Sequence, residues 1–215
     1  NDKPTGKVDV KLNLQGVPEY TIHENVAWDF IEFNEALQQK VMQADIVCFG
    51  SLAQRNDTSR ETIMKILKNC RPETLIVHDI NLRQHFYSKE IIENSLQLCN
   101  VLKLNEDELP VVCELLEVTT EREEQQLSVL LNRFNLKLVA FTKGGEGSLL
   151  MTPSEKSYML TSKVEVKDTV GAGDAFTAVM IVGFAKGDSL KEIHQKAVEI
   201  SAFVCTQDGA MPAYK

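Results

Sequence analysis

The segment DTVGAGDAF, at residues 168–176, is the most informative stretch of this chain. Small residues let backbone N–H groups converge at the start of a helix, where they have no intrahelical partner and the helix dipole is positive. The pattern therefore predicts an anion site beside a carboxylate. The N–H groups of Gly171, Ala172 and Gly173 would form the site, and Asp174 would supply the carboxylate.

Such a site suits phosphoryl transfer, because the N–H groups would stabilise developing negative charge while Asp174 takes a proton from an attacking hydroxyl. A structural alternative is that Gly171 and Gly173 only shape a turn and Asp174 only caps a helix. The segment is not a Walker A loop, since no Gly-Lys-Ser/Thr run occurs in the chain.

The composition is ordinary for a globular protein. The 215 residues are 43% hydrophobic and 25% charged, which favours one domain with a sizeable core. The net charge of −8 argues against a nucleic-acid partner, and no apolar run is long enough for a membrane span. The five cysteines and four histidines lack disulfide or metal-site spacing, so we expect a reducing, cytoplasmic location and structural histidines.

The order of predicted elements indicates an α/β fold. Residues 8–14 alternate between apolar and polar, and residues 19–22 can return as a partner strand, which predicts a hairpin. Farther along, short apolar runs alternate with helical segments that open at capping signals such as Thr58 and Thr120. This order is typical of a largely parallel sheet with helices on both faces, where ligands bind at the carboxyl ends of the strands.

Three further motifs follow predicted strands. In DINLR (79–83), Arg83 could clamp a phosphate; the alternative is a loop whose Asp and Asn satisfy local backbone groups. In NEDE (105–108), Asn105 and Glu108 could orient hydrated Mg²⁺ or form a helix-cap pair, and Lys103 is a weaker phosphate candidate. In TKGGEG (142–147), the glycines leave room for a flat ligand or simply make a hairpin turn.

Together these motifs resemble those of the ribokinase-like carbohydrate kinases of the phosphofructokinase B type. Residues 168–176 match the family signature Asp-Thr-x-Gly-Ala-Gly-Asp-x-Phe at every fixed position, and the four motifs occur in family order. The resemblance implies a ribokinase-like α/β fold with a small β lid. It also implies ATP-dependent transfer of the γ-phosphate to a sugar hydroxyl, with Asp174 as the base and Arg83 assisting.

The resemblance implies ATP and Mg²⁺ as cofactors. Family members use the Asn-x-x-Glu motif for Mg²⁺ and the nucleotide phosphates, so Asn105 and Glu108 are expected there, Glu108 acting on Mg²⁺ through water. The expected nucleotide-site residues are Thr142, Gly144, Gly147 and Gly209. A monovalent cation such as K⁺ is a further expectation, with Asp168 and Gly209 as its positions.

The resemblance also divides the chain. Residues 1–27 would form part of the lid hairpin and its return to the core, and residues 28–215 the α/β nucleotide-binding and catalytic core. Because such lids double as dimer contacts, a homodimer is expected. The family's first strands and its Gly-Gly sugar motif are not in this sequence, so we expect a piece of a longer protein with weak activity alone.

The substrate is the most open point. The stretches PTGKVDV (4–10), VAWD (26–29) and DINLR look most like bacterial fructokinases, which predicts phosphorylation of fructose to fructose 6-phosphate. Ribose, 2-keto-3-deoxygluconate, a sugar phosphate and a non-catalytic nucleotide-binding regulator remain alternatives. A dinucleotide-dependent dehydrogenase would need a Gly-x-Gly-x-x-Gly turn that is absent. We expect Trp28 to be a packing residue.

Overall fold

A computed structural model describes residues 2–12 and 18–213. Two short strands, β1 (Val8–Leu12) and β2 (Pro18–Ile22), pair antiparallel in a two-stranded sheet, here called the small sheet. The predicted hairpin strands are confirmed, and the predicted turn lies outside the described residues.

The main sheet has six strands. They are β3 (Ile46–Phe49), β4 (Leu75–Asp79), β5 (Val101–Asn105), β6 (Leu138–Thr142), β7 (Ser148–Met151) and β8 (Lys156–Met159). Their spatial order is the same as their chain order, with β3 to β6 parallel and β7 and β8 antiparallel to their neighbours. The predicted largely parallel sheet is therefore confirmed.

Seven α-helices are described. They are α1 (Glu35–Gln43), α2 (Asp57–Lys68), α3 (Lys89–Leu98), α4 (Glu108–Leu115), α5 (Glu123–Arg133), α6 (Ala172–Lys186) and α7 (Leu190–Cys205). Among the described residues, no helix is long and apolar enough to cross a membrane.

The two faces of the main sheet bury different helices. In β6, Val139 and Phe141 pack in an apolar layer with α2 to α5, whereas Leu138 and Ala140 pack in a second layer with α6 and α7. Successive side chains of a strand point to opposite faces, so a strand covered on both sides is apolar throughout. This is the predicted α/β class with helices on both faces.

Two predicted helix starts are wrong. Helix α2 begins at Asp57 rather than after Thr58, because Asn56 lies upstream and its side chain accepts a hydrogen bond from the Thr58 N–H. Helix α5 begins at Glu123 rather than after Thr120, and no side chain caps it. Two glutamates in its first turn favour that start instead, since negative charge is stabilised at a helix N-terminus.

The carboxyl ends of the parallel strands meet at one edge of the main sheet. Asp79 lies beside Lys103 in the β4–β5 register, and Asn105 lies beside Thr142 in the β5–β6 register. Helix α6 reaches the same edge, where the Thr177 hydroxyl donates to Asp79 Oδ2 over 3.0 Å. The fold thus brings together motifs that are far apart in sequence.

Candidate active site

A cleft of about 940 Å³ opens at this edge of the main sheet. Residues of all four predicted motifs line it: Asn81, Arg83, Asn105, Thr142, Gly144, Gly171, Gly173 and Asp174. Val8, Tyr20 and Ile22 of the small sheet form part of its wall. Residues from all four motifs therefore converge on one cavity, which the small sheet flanks.

The start of α6 forms one wall of the cleft. Gly171 has a φ of +84°, and a Cβ built on it would lie 2.7 Å from the carbonyl oxygen of Ala210, so this position requires glycine. No side chain caps the helix, and its first intrahelical hydrogen bond runs from Ala175 N–H to Gly171 over 2.9 Å. The helix therefore begins with its leading N–H groups beside the cleft.

The predicted set of N–H groups needs one correction. The Ala172 N–H donates to the Thr169 carbonyl over 3.2 Å, because the left-handed turn at Gly171 folds the chain back at that point. The next two N–H groups, of Gly173 and Asp174, precede the first intrahelical hydrogen bond and belong to residues that line the cleft. The exposed Asp174 carboxylate stands directly beside them.

A buried charge pair lies under this helix start. Lys103 Nζ is 3.1 Å from Asp79 Oδ1, and only 8% of the Lys103 side chain and 13% of the Asp79 side chain are exposed. The Thr177 hydroxyl lies 3.0 Å from both Asp79 Oδ2 and the Gly173 carbonyl oxygen. Asp79 therefore links the lysine of β5 to the first turn of α6.

In the loop after β4, two residues adopt strained backbone conformations, and one carboxylate holds the backbone in place. Asn81 and Gln84 have φ values of +46° and +49°, a region that side chains other than glycine rarely adopt and that is common near functional sites. Glu108 Oε1 accepts the Leu82 N–H over 2.9 Å. Arg83, next in the chain, is exposed on the cleft wall, and its Nη1 donates to the Leu82 carbonyl.

Asn105 and Glu108 form a reciprocal pair at the start of α4. Asn105 Oδ1 accepts the Glu108 N–H, and Glu108 Oε2 accepts the Asn105 N–H, each over 2.9 Å. Burial raises the pKa of Glu108 above its usual value, although the N–H groups of Asn105 and Leu82 and the charge of Lys103 act in the opposite direction. The structural interpretation of the motif is therefore realised, and the Mg²⁺ role of Glu108 stays a prediction.

Other carboxylates are better placed for a cation in the cleft. Glu106 and Asp107 are exposed and line it. Within residues 2–12 and 18–213 no cluster of three or more His, Cys, Asp or Glu side chains could hold a metal ion. A Mg²⁺ ion needs only one or two protein oxygens when it also binds water and phosphates, so these residues fit it.

A second cavity of about 660 Å³ adjoins the cleft. The two share Thr142, Gly144, Thr169 and Gly173. Phe176, Val198 and Ala202 give the second cavity an apolar wall, and Gly147, with a φ of +130°, lines it where a Cβ would overlap the Met159 carbonyl. An apolar cavity joined to a polar cleft can hold a flat ring in one part and a charged group in the other.

Besides the buried Glu108, two predicted residues do not line these cavities. Asp168 Oδ1 accepts the Val170 N–H over 2.9 Å, and Gly209 lies beyond α7, beside the Ala210 that packs on Gly171. Neither is part of either cavity wall. Their roles at a monovalent cation or the nucleotide stay predictions.

The family model for pfkB family carbohydrate kinases matches residues 1–215. The chain belongs to the pfkB family. Among its relatives, the uncharacterized sugar kinase PH1459 of Pyrococcus horikoshii is 30% identical over 216 residues, which cover 97% of this chain and 65% of PH1459. Fructokinase of Escherichia coli is 25% identical over 97% of this chain and 70% of its own length.

Solved structures show the same pfkB fold. The crystal structure of PH1459 matches with a TM-score of 0.81 at 28% identity, over 97% of this chain and 66% of that one. Fructokinase with bound ATP from Xylella fastidiosa matches with a TM-score of 0.82 at 19% identity, over 97% and 69%. This pfkB chain thus spans about two thirds of the length of the relatives it matches.

One polar centre of this pfkB chain lies outside the four predicted motifs. Arg55 binds Asp29 with two hydrogen bonds of 2.7 and 2.8 Å, its guanidinium lies 4.1 Å from the Trp28 ring, and its Nη2 donates to the His23 carbonyl over 2.5 Å. Trp28 is a packing residue, as predicted. Because Asp29 and Arg55 lie 26 positions apart, no local pattern signals the pair.

The buried histidines are structural, as predicted. His194 Nε2 lies 2.7 Å from Ser148 Oγ, and its Nδ1 lies 2.8 Å from Ser157 Oγ. Burial lowers the pKa of His194 to about 4 and that of His78 to about 3, so both rings are neutral near pH 7.

Proposed function

We propose that this chain forms the nucleotide-binding and catalytic part of an ATP-dependent sugar kinase. One observation carries the proposal: the exposed carboxylate of Asp174 stands beside the leading N–H groups of α6, in a cleft joined to an apolar cavity. The family membership supports it, since pfkB proteins are carbohydrate kinases by description.

In this proposal each residue has a defined task. Asp174 accepts the proton of the sugar hydroxyl as the oxygen attacks the terminal phosphorus of ATP and the bond from that phosphorus to ADP breaks. The N–H groups of Gly173 and Asp174 stabilise the charge on the transferring phosphoryl group. Arg83, exposed on the wall of the same cleft, assists with a phosphate oxygen.

The nucleotide would occupy both cavities. Its base would lie in the apolar cavity against Phe176 and Ala202, and its phosphates would pass Gly173 into the cleft. Mg²⁺ would offset the phosphate charge, held by Glu106 or Asp107, with Asn105 and Glu108 shaping the loop that carries them. We also propose K⁺ binding at Asp168 and Gly209, on the family resemblance.

The small sheet would act as a lid over the sugar. Val8, Tyr20 and Ile22 line the cleft, and a closed apolar lid would exclude water and so limit hydrolysis of ATP. Val8, Val10 and Tyr20 are 52 to 56% exposed, which also suits a homodimer contact. Sedimentation of Val10→Asp tests the dimer: we expect a monomer where the unaltered protein is a dimer, and equal masses would contradict it.

Fructose is the substrate we propose, because the motifs resemble bacterial fructokinases and several relatives are named fructokinases. The experiment supplies the full-length gene product with MgATP and a panel of fructose, ribose, 2-keto-3-deoxygluconate and fructose 6-phosphate, and identifies products by mass spectrometry. We expect fructose 6-phosphate as the main product. A different phosphorylated sugar would correct the substrate alone.

The same experiment addresses a non-catalytic regulator. A protein that binds ATP by calorimetry yet phosphorylates no sugar of the panel would favour the regulator over the kinase. The retained carboxylate at Asp174 favours the kinase, because nucleotide binding alone does not need a base at that position.

A further inference from the structure

We infer that Lys103 is a catalytic residue, whose ammonium moves from Asp79 to the transferring phosphoryl group. The inference rests on the proposed kinase function and adds a contact to it. A buried lysine lies under the anion site, and the proposed roles of Asp174 and the α6 N–H groups give it no function.

The position of Lys103 in β5 directs its side chain toward α6. Its neighbours Leu102 and Leu104 pack in the layer of α2 to α5, whereas Val101, two residues before Lys103, packs in the layer of α6 and α7. Alternation along the strand places Lys103 on that second face. A Cβ built on Gly173 would lie 3.7 Å from Lys103 Nζ, so the ammonium lies directly below the first turn of α6.

The contact between Lys103 and Asp79 is incomplete as a hydrogen bond. Lys103 Nζ and Asp79 Oδ1 are 3.1 Å apart, yet the carboxylate oxygen has no partner with hydrogen-bond geometry among the residues that the structure describes. The ammonium carries three donors, and Lys103 lines the cleft. Its donors are therefore available to a ligand that enters there.

The electrostatics of this region favour an incoming anion. The ammonium and the positive end of the α6 dipole lie side by side, and two positive centres so close repel each other unless negative charge compensates them. Asp79 and Glu108 place negative charge on the protein side of the ammonium, and the Thr177 hydroxyl donates to the second Asp79 oxygen over 3.0 Å. An anion in the cleft would compensate from the other side.

The proposed step is balanced. The sugar oxygen forms a bond to the terminal phosphorus, the bond from that phosphorus to the oxygen of ADP breaks, and the hydroxyl proton passes to Asp174. Lys103 stays protonated and donates to non-bridging oxygens of the phosphoryl group while it moves. Because it acts where charge is redistributed in the transition state, its loss should lower kcat more than ATP affinity.

A purely structural ion pair is the competing explanation, and a double variant separates the two. Replacing a buried ion pair by a neutral pair of similar size is often neutral for stability, whereas removing one partner leaves an uncompensated charge. Lys103→Met alone should therefore unfold at lower urea concentration, and Lys103→Met with Asp79→Asn should recover most of that loss. If Lys103 only holds the fold, the double variant should also recover activity.

The test uses the full-length protein with Asp79→Asn, Lys103→Met, the double variant and Lys89→Met, an exposed lysine paired with Glu117, as the matched control. The readouts are urea unfolding, kcat and KM, and the affinity for ADP with aluminium fluoride relative to ADP. We expect the double variant to fold normally but to lose about 10²-fold or more in kcat and most of its preference for the aluminium fluoride complex.

Two results would overturn the inference: a double variant whose kcat lies within threefold of that of Asp79→Asn, or one that keeps the preference for ADP with aluminium fluoride. A wild-type protein that phosphorylates no sugar, but whose preference for the complex depends on Lys103, would refute the proposed function and leave the anion contact standing.

Discussion

Gly173→Ala should separate stability from activity. Gly173 is the second residue of α6, and a Cβ built there meets the protein only at an ordinary contact distance, 3.7 Å from Lys103 Nζ. Alanine is more favourable than glycine inside a helix by up to about 1 kcal/mol. The variant should therefore be as stable as the unaltered protein, or up to about 1 kcal/mol more stable.

The kcat of Gly173→Ala should fall although its stability does not. The new methyl group would lie between the α6 N–H groups and Lys103, in the place that the proposed mechanism assigns to the phosphoryl group. A displacement of about 1 Å at a reacting centre can cost about 10²-fold in rate, so we expect a loss of that order in kcat. The protein would thus gain stability and lose function from one methyl group.

Gly171→Ala is the matched comparison in the same motif. Its φ of +84° costs alanine about 1 to 2 kcal/mol, and the Cβ would overlap the Ala210 carbonyl at 2.7 Å, which adds about 1 to 3 kcal/mol. Urea unfolding, followed by the fluorescence of the single tryptophan, measures both variants, and steady-state assays measure kcat. A Gly173→Ala protein with kcat within threefold of the unaltered protein would refute the proposed anion site.

Three other predictions concern the surrounding structure. Because burial lowers the pKa of His194 to about 4, the unfolded chain binds more protons between pH 6.5 and pH 4, and stability should fall as pH falls through that window, by about 2 kcal/mol at pH 5. His194→Gln should remove this share of the decline in the urea midpoint and leave the share of His78, whose pKa burial lowers to about 3; an unchanged profile would contradict the assignment. Arg55→Met should cost about 3 to 5 kcal/mol in urea unfolding, because Asp29 stays buried and unpaired, and adding Asp29→Asn should recover much of it; a single variant as stable as the double would refute this. Gln84→Ala removes the 2.6 Å hydrogen bond from the Gln84 side chain to the Tyr20 carbonyl, which joins the small sheet to the Arg83 loop. Because such a bond contributes about 1 kcal/mol, the KM for sugar should rise about fivefold while the KM for ATP stays constant. Equal changes in both KM values would argue against a lid.

Strong local signals made much of the fold predictable. Helix α6 was predictable because a long apolar run lies between two glycines, Gly171 and Gly187, which adopt left-handed conformations. The strands of the main sheet were predictable because burial on both faces leaves short runs of apolar residues. The wrong start of α2 arose where Asn56 and Thr58 both offered a cap within one turn.

The site was predictable as a set of motifs but not as a set of contacts. The Asn-x-x-Glu pattern fits a helix start and a magnesium site equally well, and only the bond from Glu108 to Leu82, 26 residues away, shows what its carboxylate holds. The anion site uses the N–H group of Asp174 and not that of Ala172, and this difference depends on the backbone angle at Gly171. The burial of Lys103 follows from tertiary packing. In the sequence, the only indication of it is a lysine within an otherwise apolar strand.

The role of Asp174 as the base is tested most directly by Asp174→Asn in the full-length protein, with Asp188→Asn at the far end of α6 as the matched control. Asparagine keeps the size and a hydrogen-bond acceptor but cannot take the proton. We predict that the rate of sugar phosphorylation falls by about 10² to 10⁴-fold, that the Kd for ATP stays within threefold, and that Asp188→Asn changes neither. An Asp174→Asn protein that phosphorylates sugar at the unaltered rate would contradict the account.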